Sequence, residues 1–398
     1  MLRPPDPVVM LIADISGYTS YLSGTEIDHA QNVLQDLLET IVARLEPPLK
    51  LIEVEGDACF TFAPTADVSG TLLLDTIDAA YFGFRHRLRD VTQATTCTCN
   101  ACLLIPNLDL KFIVHAGEAV RQRAFSRENL VGPDVIAIHR LLKNHVTEQT
   151  GWRAYALLTT TAASVLAVDC RRMDMVALRE EYDVGTVDVF VEDLDARWEI
   201  EQEAAHSHLA GDRVWMTFEI DLAAPPAVIW QWLTSPRLRP YYQVGVLRVT
   251  QDAAGGRAGI GSMNHCAHGP NAVTLEHVVD WKPFETYTLN SQIPLIGPLT
   301  FSYDLAAADW GTHVTVLMGG DADNPIRSKF HLAEPFLQGM YMQSMGGLAE
   351  RIRGGARPDD PGAPLPPPTP EEQAAFEAMM RTFAQALAVD SGSTQTSH

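Results

Sequence analysis

The chain has 398 residues, of which 46% are hydrophobic and 20% charged, and its 29 Lys and Arg stand against 50 Asp and Glu for a net charge of −21. Such a composition excludes disorder over most of the length, and the acidity argues against nucleic acid or an anionic membrane surface as a partner. The acidity is uneven, with 17 basic and 32 acidic side chains in residues 1–212 but 10 and 12 in residues 213–353.

Length suggests two domains. The longest apolar runs are strand-length, far from the roughly 20 residues needed to cross a bilayer, so no membrane span is expected. The N-terminal MLRPPDP lacks the order of a secretion signal, which points to a reducing cytoplasm and to thiols or metal ligands, not disulfides, for the six cysteines.

Val8 to Asp14 reads as a buried strand. Thr25 to Leu45 follows as a helix, with Ile27, Ala30, Leu34, Leu37, Leu38, Ile41 and Leu45 on one face, a capping-box-like start at Thr25 and Asp28, and a stop at Pro47-Pro48. Leu49 to Val54 and Ala58 to Ala63 form two strands around the turn Glu55-Gly56-Asp57. Further elements are a helix over Leu72 to Arg89, a strand over Leu110 to His115, a helix over Pro133 to Asn144, and strands near Ala154 to Thr159 and Val187 to Glu192. Together they make a first domain over residues 1–192, and residues 193–212 read as a helical connector.

A second domain, residues 213–353, opens with a strand at Val214 to Leu222 and a short helix after Pro225-Pro226, continues as strands to about Met318, and closes with a long helix from Pro325 to Arg353. Within it Val273 to Trp281 alternates only partly, as a strand covered on both sides would. Residues 354–398 read as a stiff Pro-rich linker, a short amphipathic helix and a frayed tail.

Two aspartates stand out by position, Asp14 at the end of the first strand and Asp57 in the hairpin turn. If the first strand pairs with the hairpin, the carboxylates meet at one end of the sheet and attract a divalent cation, a setting suited to phosphoryl transfer; the plainer alternative is two turn residues. The backbone of Gly17, Tyr18 and Thr19, leading into the first helix, is placed to cradle phosphate.

Four ordered segments, LIADISGYTSYLS, LIEVEGDACFTFA, FIVHAGEAV and LVGPDVIAIHRLL, resemble the motifs of class III adenylyl and guanylyl cyclases over about residues 8–192. The resemblance implies an α+β, ferredoxin-like βαββαβ domain that works as a homodimer and converts a purine nucleoside triphosphate, GTP or ATP, to a cyclic nucleotide. It implies that Asp14, Asp57 and the Ile15 carbonyl hold Mg²⁺ or Mn²⁺, that Glu53 and Asn129 read the base, and that Arg140 stabilises the transition state. Glu53 leans toward guanine, because a carboxylate accepts that base's N1-H and N2-H donors. Departures are equally informative. Ile136 stands where the family has an asparagine, and Arg179-Glu180-Glu181 where it has a phosphate-binding lysine. Loss of one oriented polar group costs about 2–4 kcal/mol of transition-state stabilisation, so turnover is expected to be slow.

Cys97, Cys99 and Cys102 lie within six residues, close enough to hold zinc or an iron–sulfur cluster with a fourth ligand from His86, His115, Cys170 or another subunit, or to be plain reduced thiols. The insertion is similar to one in bacterial cyclase-like proteins. Residues 213–353 resemble the helix-grip fold of START-like SRPBCC proteins, which implies a cavity for a small apolar ligand lined by Trp230, Tyr241, His277, Trp281, Phe301, Phe336 and Tyr341, unless these side chains are simply core. Three functions are therefore open: a weak cyclase coupled to an apolar ligand, a catalytically silent nucleotide or ligand sensor, and a polyketide or lipid binder.

Overall fold

The structure is a computed structural model that describes residues 4–18, 21, 27–94, 104–124, 127–182, 185–203, 206–253, 255–269, 272–293 and 296–371, together with the helical positions 374, 378, 381 and 385. It divides into two compact units, Met1–Ala204 with Gly255–Arg257, and Ala205–Ala254 with Ala258–His398.

In the first unit, strand β1 (Asp6–Ser16) is followed by helix α1 (Ile27–Leu45), the hairpin of β2 (Lys50–Glu55) and β3 (Ala58–Pro64), helix α2 (Gly70–Ala94) and the long strand β4 (Asp109–Ala124). Then come β5 (Arg127–Val131), α3 (Pro133–Leu141), α4 (Val146–Thr150), β6 (Tyr155–Thr159), α5 (Thr160–Val165), β7 (Val176–Tyr182), β8 (Gly185–Asp193) and α6 (Leu194–Glu203). The sheet runs β2-β3-β1-β4-β6-β8-β7, with β5 paired to β4. Its first four strands are the βαββαβ arrangement, with β1 antiparallel to both β3 and β4.

Val8 to Leu11 are fully buried because both sheet faces are covered, which is why this strand is a continuous apolar run. Val8, Met10 and Ile12 share a core cluster with Val135, Ile138 and Leu141 of α3. Alternation turns Val9 and Leu11 to the other face, where α1 and α2 pack together. Helix α1 buries Ala30, Leu34, Leu37, Ile41 and Leu45 at helical spacing, and Pro47 and Pro48 follow its end. Helix α2 starts earlier than its apolar pattern suggests, because the Leu72 N-H donates to Ser69 Oγ at 3.2 Å and caps it. The segment read as a connector contains α6, which belongs to the first unit. Trp198 packs on Phe82, with ring centroids 5.5 Å apart, and Tyr81 donates to Asp195 Oδ1 at 2.8 Å.

The second unit is an antiparallel sheet wrapped on one long helix. Its elements are β9 (Val214–Leu222), α7 (Pro226–Thr234), β10 (Arg248–Asp252), β11 (Met263–Gly269), β12 (Ala272–Lys282), β13 (Thr286–Ile293), β14 (Gly297–Ala308), β15 (Gly311–Gly319) and α8 (Phe330–Arg353), with sheet order β10-β11-β12-β13-β14-β15-β9. Strand β12 differs from its expected double cover. Thr274, Glu276 and Val278 face the core, whereas Val273 and Leu275, 42% and 39% exposed, face outward with His277. A register shift between Val278 and Asp280 then turns Trp281 into the core, while its neighbour Asp280 points the other way and is buried against His206 at 2.8 Å. The Pro-rich stretch is no free linker: Arg351 donates to the Pro361 carbonyl at 3.1 Å and the Leu365 N-H to the Pro240 carbonyl at 3.1 Å.

Asp109 opens β4 beside Asp195, and burial first, then the Asp195 charge, pushes its pKa up to about 6. A carboxyl whose pKa is raised on folding favours the fold when protonated, so this contribution is lost as pH rises from about 4 through about 6. Asp109→Asn should therefore melt above the wild type at pH 7.5, by on the order of 1–2 kcal/mol, and match it at pH 4; equal melting at both pH values would contradict this origin.

Candidate functional site

Strand register builds the end of the sheet where the two aspartates lie. Asp14 pairs across β1 and β3 with Ala58, and the Ile15 N-H donates to the Asp57 carbonyl at 3.1 Å, so the hairpin turn closes directly on the end of β1. In an antiparallel ladder a residue's N-H and C=O point to the same neighbour, which puts the Ile15 carbonyl on the hairpin side as well. Gly56 takes φ +64°, the left-handed conformation that this turn requires.

Burial raises the Asp57 pKa, the charge of Asp14 raises it further, and its own N-H and Lys111 lower it in part. Asp57 therefore lies within the field of the Asp14 charge. Tyr18 lies in the same field, its phenol pKa raised by burial and then by Asp57. Gly17 sits at φ +87°, where a Cβ would come within 2.9 Å of the Asn107 carbonyl oxygen, so the loop after β1 can pass there only as glycine. Thr19 lies outside the described residues.

Lys111 was not legible as a site residue. It stands opposite Asp14 on β4, and its Nζ is 3.0 Å from Asp14 Oδ2, with both side chains 18% exposed. The signal available in the sequence is a single lysine inside the apolar run Leu110-Lys111-Phe112-Ile113-Val114.

The remaining expected cyclase residues lie elsewhere. Glu53 is half-buried on β2, Asn129 is exposed on β5 with its side-chain oxygen accepting from the Leu130 N-H at 2.8 Å, and Arg140 is exposed on α3. Ile136, one turn before Arg140, is 57% exposed. His139 packs edge-on against Phe60 at 5.0 Å, which sets the end of α3 beside the hairpin. Neither Asn129 nor Arg140 makes a hydrogen bond or ion pair with Asp14 or Asp57 among the described residues. A groove of about 570 Å³ between α1 and β2 is lined by Tyr18, Leu34, Leu38, Val42, Leu51 and Val54, and neither aspartate lines it.

Glu180, in the segment that stands where the cyclases have a phosphate-binding lysine, lies on β7. It is fully buried and accepts from the His145 N-H and imidazole at 3.0 Å each, which fixes the start of α4. Arg179 pairs with Asp188 at 2.7 Å. Cys97, Cys99 and Cys102 all lie outside the described residues. His115 is buried between Thr159 Oγ1 at 3.0 Å and Asp134 Oδ1 at 3.2 Å, a satisfied core histidine.

In the second unit Trp230, Trp281, Phe301 and Tyr341 belong to one aromatic core. Trp230 meets Trp281 at 4.9 Å, Phe301 stacks on Tyr341 at 5.9 Å, and the Tyr303 and Tyr341 hydroxyls are 2.8 Å apart. Tyr241 and Phe336 pack at its edge. His277 does not line this interior; it is exposed on the outer face, because the inward positions of β12 are Thr274, Glu276 and Val278.

The inward Glu276 is explained by Arg239. Arg239 NH2 donates to Glu276 Oε1 at 2.7 Å, NH1 to Oε2, and Nε to Gln243 Oε1 at 2.7 Å. Although burial pushes Glu276 up, the Arg239 charge and hydrogen bonds hold it below the usual carboxylate range.

Two family models match parts of the chain. Residues 34–150 match a family described as a protein of unknown function (DUF2652), and residues 213–353 match polyketide cyclase / dehydrase and lipid transport. An uncharacterized protein of Mycobacterium tuberculosis, Rv2561/Rv2562, is 32% identical over 140 residues, which are 35% of this chain and 63% of that protein. The chain thus spans under two thirds of that relative's length. Among solved structures, a bacterial light-regulated adenylyl cyclase is 13% identical, covers 50% of this chain and 99% of its own, and has a TM-score of 0.35. The guanylyl cyclase Cya2 is 17% identical, covers 48% and 93%, and has a TM-score of 0.34.

Glu276→Gln leaves the Arg239 charge buried without its counter-charge and should destabilise the second unit by about 3–5 kcal/mol, whereas Arg239→Met combined with Glu276→Met should recover most of that loss. Urea unfolding followed by tryptophan fluorescence measures both. A double variant as unstable as the single one would show that the pair contributes more than mutual neutralisation.

Proposed function

We propose that the first unit is a divergent, metal-dependent purine nucleotidyl cyclase that cyclises GTP or ATP slowly. The observation that carries this reading is the closure of the Asp57 turn onto the end of β1, through the Ile15 to Asp57 hydrogen bond at 3.1 Å, which couples the Asp14 and Asp57 carboxylates electrostatically. Two carboxylates and a backbone carbonyl form a hard oxygen set that fits Mg²⁺ or Mn²⁺.

When bound, the metal would offset triphosphate charge and lower the pKa of the attacking 3′-hydroxyl. The chain's own residues supply the rest. Gly17 and Tyr18 offer backbone at the phosphate side, Glu53 and Asn129 read the base, and Arg140 stabilises the transferred phosphate. Because Arg140 and Asn129 make no hydrogen bond or ion pair with the aspartates among the described residues, a second copy presenting them across a homodimer completes the site in this reading. The second unit, in this reading, holds a small apolar ligand between its sheet and α8, supported by the family match over residues 213–353.

A catalytically silent sensor is the second reading, favoured by Ile136, an exposed apolar side chain one turn from Arg140 on the face that would meet the nucleotide.

Incubation of the purified chain with GTP or ATP and Mn²⁺ should yield cyclic nucleotide, and Asp57→Ala should reduce it to background. Equal product from both proteins would remove the cyclase assignment. Ile136→Asn, which restores an oriented polar group, should raise turnover roughly tenfold or more; an unchanged rate from that variant would favour the silent sensor.

A further inference from the structure

The aspartate pair carries a built-in cation. Lys111 reaches Asp14 because β4 lies beside β1 with Asp14 and Lys111 directly across from each other, so the ammonium is placed by backbone register and not by a chance surface rotamer. Its Nζ is 3.0 Å from Asp14 Oδ2, and at 18% exposure on each side the pair is largely shielded from water. The same ammonium lowers the Asp57 pKa, so its field extends over both carboxylates.

A divalent ion bound by these carboxylates would meet a positive charge already on one of its ligands. In a partly buried site two cations so close repel strongly, since the screening available in bulk water is reduced. Lys111 on Asp14 Oδ2 therefore competes with a metal for that carboxylate.

We propose that Lys111 is an internal competitor for the divalent cation, a positioning residue that holds the Asp14 carboxylate without metal and sets how tightly metal binds. This rests on the metal-site reading above and adds what that reading lacks, the residue that tunes the site. In the absence of metal the lysine keeps the carboxylate pair from being an exposed double negative charge. It also makes metal affinity lower than two carboxylates and a carbonyl would give alone.

The test is Mn²⁺ titration of the full chain by calorimetry, with electron paramagnetic resonance counting free Mn²⁺. Lys111→Met and Lys111→Gln should bind Mn²⁺ at least tenfold more tightly than the wild type, Lys111→Arg should stay within a few-fold of it, and Asp14→Asn should lose most binding. Neutral variants that bind with wild-type affinity or more weakly would overturn the proposal. A measurement on the unmodified protein guards against misfolded variants: saturating Mn²⁺ should increase amine-reactive labelling of Lys111 several-fold, read by peptide mass spectrometry, and unchanged labelling would equally overturn it. If neither the wild type nor the neutral variants bind Mn²⁺ saturably, the metal-site reading itself fails; if they bind without the affinity gain, only the role of Lys111 does.

Discussion

The register of β1 between β3 and β4 is the constraint on which the first unit's site depends. One strand buried on both faces fixes its neighbours, because a one-residue slip would turn every core side chain outward. That same register puts Asp14 across from Ala58 on one side and Lys111 on the other, with the hairpin turn closing over Ile15. The chemistry of the site is thus a by-product of core packing: Val8 to Leu11 lock the strand, and the strand places its terminal carboxylate between an acid and a base.

A charge pair also organises the second unit, but inside the core. Arg239 and Glu276 neutralise each other where water is excluded, so β12 can turn its polar positions inward and leave Val273 and Leu275 at the surface. Buried pairs of this kind often contribute little net stability, yet breaking one is costly, which makes them better at specifying an arrangement than at strengthening it.

What was legible in the sequence followed from local pattern. The first strand, which the structure extends two residues past Asp14 to Ser16, the helix stopped by Pro47 and Pro48, and the turn at Gly56 are each set by residues within a few positions, and the structure contains each of them. What was not legible depended on distant partners. Lys111 lies 97 positions after Asp14 in the chain and meets it only through sheet pairing. The inward face of β12 is decided by Arg239, so His277 read plausibly as a cavity residue until that partner is known, and the burial of Glu180 is decided in the same way by His145. The helix at Leu194–Glu203 read as a connector because its charge alternates, while its attachment is made by Asp195, Arg197 and Trp198 to Tyr81, Asp78 and Phe82 far earlier in the chain.

The most direct test of the central claim is anomalous diffraction from crystals of the full chain soaked with Mn²⁺ and a non-cyclisable GTP analogue. A manganese peak held by the carboxylates of Asp14 and Asp57 is expected. A nucleotide bound without manganese between these side chains, or manganese bound elsewhere with Lys111 still on Asp14, would contradict it.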